Sequence, residues 1–98
     1  MDNLFDLSGK VALVTGSTKG IGKAIVERMA QHGAKGVVSS RKADACEAVA
    51  ASINETQGAE VAAAIPCNIS HRDQLEHLVA ATREKWGKID SLVCNAAV

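Results

Sequence analysis

At 98 residues the chain has room for one domain, near the lower end of the size that buries a comfortable core. Nearly half of it is apolar (47%), with only two aromatics, Phe5 and Trp86, a composition that fits a globular α/β protein and excludes a disordered one. Eleven basic and eleven acidic side chains cancel, so no overall field gathers nucleic acid or an anionic membrane surface.

The start, "MDNLFDLSGK", has acids where a secretory signal has bases and lacks its apolar stretch, and no segment approaches the roughly 20 apolar residues of a membrane span. Cys46, Cys67 and Cys94 are odd in number and widely spaced, which suits reduced thiols rather than a disulfide scaffold. The expectation is a cytoplasmic protein that binds neither nucleic acid nor membrane.

Strand-length apolar runs alternate with helical periods, the pattern of parallel βαβ units. "KVALVT" (10–15) reads as the first strand. Ile21, Ile25 and Met29, with Ala24 beside them, then give a helix one apolar face until Gly33. "GVVSS" is a second strand, weakened by Gly36, which has no side chain to pack. Ala45, Val49 and Ile53 mark the inner face of a second helix closed by Gly58. "EVAAAIPC" is a third strand with Pro66 near its end, and Ser70 is the expected N-cap of a third helix. That helix turns Leu75, Leu78, Val79, Thr82 and Trp86 one way until Gly87, and "KIDSLVCNAA" is the fourth strand. The order is β-α-β-α-β-α-β in residues 1–98, and the chain looks like the front part of a longer domain, because a parallel sheet needs cover on both faces.

The stretch "TGSTKGIG" (15–22) joins the first strand to the first helix. A helix opening from such a turn leaves its first N–H groups unpaired beside the positive end of its dipole, a site that attracts phosphate. Gly16 could make the tight turn, Gly20 let a pyrophosphate approach, and Gly22 let helix and strand pack closely. The spacing is G-x-x-x-G-x-G rather than G-x-G-x-x-G, so a glycine turn without a ligand is the competing reading. A P-loop is excluded, because Lys19 precedes Gly20 and no G-K-[ST] follows.

"TGSTKGIG", together with "CNAA" at 94–97, resembles the short-chain dehydrogenase/reductase family, whose pattern is T-G-x-x-x-G-x-G and then N-N-A-G at the end of the fourth strand. The resemblance covers the whole chain. It implies a Rossmann-like parallel sheet, the N-terminal part of a three-layer doubly wound α/β fold, with Gly16, Ser17, Thr18, Lys19, Gly20, Ile21 and Gly22 around the cofactor pyrophosphate. It also implies hydride transfer between a nicotinamide and a carbonyl or alcohol substrate, and a homo-oligomer in the full-length form.

In dinucleotide folds an acid about 20 residues past the glycines holds the ribose hydroxyls, whereas an Arg accommodates the 2′-phosphate of NADP. Here the stretch is "SSRK", with Ser40, Arg41 and Lys42 and no acid, so the expected cofactor is NADP. The plainer alternative is that Arg41 and Lys42 begin a solvated helix end.

By resemblance Asn68 and Ile69 line the adenine, with Asn68 in place of the family's Asp. The alternative is that Asn68 only turns the chain into the Ser70 cap. Asn95, Ala96 and Ala97 are expected along the ribose and nicotinamide side, with Ala97 adding a methyl where the family has Gly. Asp90 looks like the family's structural acid. Cys67 and Cys94 read as small buried apolar residues, and His71 and His77 as solvated rather than a metal pair.

The family's proton-transferring Tyr, its Lys and Ser partners and its relay Asn lie beyond the fourth strand. This sequence has no Tyr and supplies no catalytic residue. The resemblance therefore implies the cofactor-binding part of an NADPH-dependent oxidoreductase. A truncated, non-catalytic nucleotide-binding or assembly protein is the alternative.

Overall fold

The computed structural model describes residues 6–18, 20–68 and 70–94, with the backbone alone at Cys94. The alternating pattern is realised as β1 (Val11–Thr15), α1 (Gly20–Gln31), β2 (Lys35–Ser39), α2 (Ala43–Gln57), β3 (Ala62–Ala64), α3 (Arg72–Trp86) and β4 (Ser91–Cys94). The strands are parallel and lie in the order β3-β2-β1-β4. Strand β1 is buried along its whole length, as a run of apolar residues covered on both faces requires.

Alternation along the strands builds two cores. Ala12, Val14, Val38 and Ala62 join Val26, Ala30, Cys46, Val49 and Ile53 of α1 and α2 on one face of the sheet. Leu13 and Val37, one residue out of phase, join Cys67 and Leu78 on the other face, ringed by Leu75, Val79 and Trp86 of α3. Leu13 and Leu78 are completely enclosed, each stabilising the fold by about 1.5–3 kcal/mol. The strand order runs outward from β1 to β2 and β3 and then returns to the far side of β1 for β4. Where an open α/β sheet reverses in this way, the C-terminal strand ends part to leave a crevice.

The buried side of α1 is Gly22, Val26 and Ala30, not the side of Ile21 and Ala24. Ile21 is 72% exposed and Ala24 is exposed, while Ile25 and Met29 sit partly buried at the margin. Both sets repeat every fourth residue, so periodicity leaves the phase open and close approach decides it. A Cβ on Gly36 would stand 3.4 Å from both Val26 Cγ2 and the Ala12 carbonyl oxygen. The glycine that weakens β2 in isolation thus makes room for α1 against the sheet. In α2 it is Cys46, rather than Ala45, that is enclosed with Val49 and Ile53.

Strand β3 is shorter than expected. Its bonding to β2 nevertheless continues beyond Ala64, from the Ile65 N–H to Val38 O at 3.1 Å and from the Cys67 N–H to Ser40 O at 2.8 Å. Pro66 falls between those two donors and faces the outer edge, where no N–H is required. Ser70 is not the cap of α3. His71 holds that position without a side-chain bond, and the entry is instead shaped by Asn68, whose Oδ1 accepts the Ser70 N–H at 3.0 Å. Gln74 Oε1 accepts the Asn68 N–H at 2.8 Å. An Asx turn has taken the place of a Ser cap.

Candidate nucleotide-binding site

The register pairs Thr15 with Ser39, which sets the C-terminal ends of β1 and β2 side by side. Beyond Thr15 the chain turns through Gly16 at φ 62, and α1 opens at Gly20 with φ 63. A residue with a Cβ would lose roughly 1–2 kcal/mol in either conformation, which is the physical reason for glycine there. Among the described residues, a Cβ on Gly20 would meet nothing within 4 Å. No acid occupies the first turn of α1, and the positive end of its dipole is not neutralised from within. Gly22 is buried, and Ile21 is exposed.

Ser17 locks this turn to β2. Its N–H donates to Ser39 O at 3.0 Å, its Oγ donates to Val14 O at 2.8 Å, and the same Oγ accepts the Ser39 N–H at 2.9 Å. The side chain is fully enclosed and spent on these bonds, so Ser17 fixes where the turn stands. Thr18 is half-buried beside it. The Ser39 hydroxyl is enclosed without a hydrogen-bond partner among the described residues.

The chain leaves β2 through Ser40, whose Oγ accepts the Lys42 N–H at 3.2 Å. Arg41 and Lys42 follow, both exposed and with no carboxylate partner among the described residues. Asn68 is half-buried near this end of the sheet. The turn to Ser70 takes one lone pair of its Oδ1. Lys19, Ile69, Asn95, Ala96 and Ala97 lie outside the described residues.

Asp90 stands at the opposite end of the sheet, in the structural position read from the sequence. Its Oδ2 accepts the Val11 N–H at 2.8 Å, and its own N–H donates to Val11 O at 2.9 Å. The Val11 N–H, aided by Lys88 at 3.3 Å, holds this carboxyl below its usual range. Cys46 and Cys67 are buried free thiols, and burial, reinforced by Asp73, pushes Cys67 up. His71 and His77 are exposed on and beside α3. Beyond the doubled serine in "SSRK", the sequence does not signal the contacts that Ser39 and Cys46 make at this tip.

A parallel sheet with helices on both faces and a glycine turn at its C-terminal end defines a Rossmann-like α/β unit. Comparison narrows the class: a family model described as short chain dehydrogenase matches residues 10–98, and the chain belongs to that family of oxidoreductases, which bind a nicotinamide cofactor. It is 50% identical over 92 residues to the short-chain dehydrogenase/reductase SDRA of Arabidopsis thaliana, covering 93% of this chain and 35% of that protein. Among solved structures it resembles a hydroxysteroid dehydrogenase from Escherichia coli, at TM-score 0.90 and 41% identity over 98% of this chain and 40% of the other. It also resembles the L-sorbose reductase of Gluconobacter frateurii complexed with NADPH and L-sorbose, at TM-score 0.88 and 34% identity over 95% of this chain and 35% of the other. The chain spans about a third of the length of the curated relatives it matches.

Proposed function

We propose that this chain forms the cofactor-binding portion of an NADPH-dependent oxidoreductase that moves a hydride between the nicotinamide and a carbonyl or alcohol carbon. The observation that carries this reading is the Thr15–Ser39 register, which sets the glycine turn that opens α1 next to the strand end leading into Arg41 and Lys42, two exposed cations with no carboxylate partner among the described residues. No carboxylate occupies residues 39–42 to repel a 2′-phosphate. The NADPH complex of the L-sorbose reductase gives further support.

In this reading the backbone from Gly16 to Gly22 holds the pyrophosphate, with Ser17 keeping the turn in register and Ser17, Thr18 and Ile21 bordering it. Ser40, Arg41 and Lys42, with Lys19, receive the 2′-phosphate. Asn68 and Ile69 border the adenine, and Asn95, Ala96 and Ala97 the ribose and nicotinamide side. NADPH, when bound, supplies the hydride; the residues named here bind and orient it and move no proton. The reading includes a cytoplasmic, homo-oligomeric protein acting on a small carbonyl or alcohol substrate.

The test is the affinity of the natural polypeptide for both reduced cofactors, followed by nicotinamide fluorescence. One Arg–phosphate contact, at about 1.5–3 kcal/mol, favours NADPH roughly tenfold to a hundredfold, and Arg41→Asp moves the preference toward NADH. Equal affinities in the parent overturn the reading. A second reading, a non-catalytic nucleotide-binding or assembly protein, draws on Leu92, which is 53% exposed on β4. Oxidation of NADPH on addition of carbonyl compounds separates the two.

A further inference from the structure

The tip that carries Arg41 and Lys42 is tethered at three points. Ser17 bonds both backbone polar groups of Ser39, and the Cys67 N–H donates to Ser40 O at 2.8 Å. The third tether comes from within α2. Cys46 Sγ lies 3.4 Å from Ser40 Oγ and 3.7 Å from Ser40 O, so one thiol faces both oxygens of the residue just before the two cations. Ser40 Oγ meanwhile accepts the Lys42 N–H, which closes a short ring across Arg41.

Two further facts make the thiol contact more than packing. Cys46 is completely enclosed, so no water competes for its S–H. Helix α2 also lacks an ordinary cap, since Lys42 holds the N-cap position and makes no side-chain cap bond. The link from helix to loop that a capping side chain usually supplies is made here from Cys46, a turn inside the helix.

We infer that Cys46, acting through Ser40, is a positioning residue for cofactor discrimination: it fixes the loop that presents Arg41 and Lys42 to a 2′-phosphate. The inference rests on the NADP reading above. A bidentate guanidinium contact depends on direction as much as on charge. A loop free to swing keeps its two charges but spreads them over many placements, and it loses the part of the affinity that reads the 2′ position. Binding of the rest of the nucleotide, which depends on the Gly16–Gly22 turn, is unaffected.

The experiment compares 2′,5′-ADP with 5′-AMP, which differ only in the 2′-phosphate, by calorimetric titration of the natural polypeptide. Cys46→Val keeps much of the bulk and removes the donor; Cys46→Thr has nearly the same shape and restores a hydroxyl. The expected result is a parent that prefers 2′,5′-ADP, a preference reduced about threefold to tenfold in Cys46→Val with 5′-AMP affinity unchanged, and recovery in Cys46→Thr. Cys46→Ala, which also lacks a donor and adds no bulk, carries the test should the valine variant not fold. An unchanged preference in the donorless variants overturns the inference, as does an equal fall in affinity for both nucleotides. A parent without any preference overturns the NADP reading itself, whereas a parent preference that falls in Arg41→Ala but not in the donorless Cys46 variants keeps that reading and overturns the inference.

Discussion

Asn54 offers the sharpest test of how the outer strand is held. Its Oδ1 accepts the N–H groups of Val61 and Ala62 at 2.7 and 2.8 Å, and its Nδ2 donates to Ala62 O at 2.9 Å. Among the described residues strand β3 pairs only with β2, so the amide of Asn54 meets the backbone groups of Ala62 on the side away from β2. Each bond is worth about 0.5–1.5 kcal/mol net of water. Asn54 is half-buried and water can reach part of the gap, so Asn54→Ala loses roughly 1.5–3 kcal/mol. Asn54→Asp keeps the acceptor and loses the donor, and falls between parent and alanine variant. Urea unfolding reads these losses as shifts in midpoint at constant slope. The bared Ala62 edge also promotes concentration-dependent association, visible by light scattering. A loss under about 0.5 kcal/mol in Asn54→Ala, the lower bound for even one such bond, refutes the edge-clamp reasoning.

Two other outcomes follow from single contacts. Asp90 has its carboxyl lowered by the Val11 N–H and Lys88, so the folded state holds the charged form more firmly than the unfolded one. Its contribution is complete above the ordinary value of 3.8, declines as the pH falls through it and vanishes below the folded value. Asp90→Asn therefore lowers stability at neutral pH, and the two unfolding curves converge in acid; parallel curves at every pH refute this. Gly33 has φ +102, and a Cβ there would stand 2.8 Å from Ser8 Oγ and 3.2 Å from Ser8 N. Gly33→Ala loses about 1–2 kcal/mol or more in chemical unfolding, and a neutral effect shows that the 33–35 turn relaxes freely.

What was legible in the sequence is what a few neighbouring residues settle among themselves. The strands and helices, the glycine turn with its positive-φ positions and the cationic tip "SSRK" all follow from local periodicity, from the absence of a Cβ or from charge. The helix stops at Gly58 and Gly87 were visible for the same reason, and both adopt the left-handed conformation. Tertiary structure decided the rest. The phase of α1 depended on Gly36 in a different strand, the entry to α3 on Asn68 and Gln74, and the end of β3 on the orientation of Pro66 relative to β2. Ser17 meets Ser39 across 22 positions and Val11 meets Asp90 across 79. Such contacts exist only when the parallel strands have taken their register, because register brings together residues whose own neighbours in sequence hold no trace of the partner.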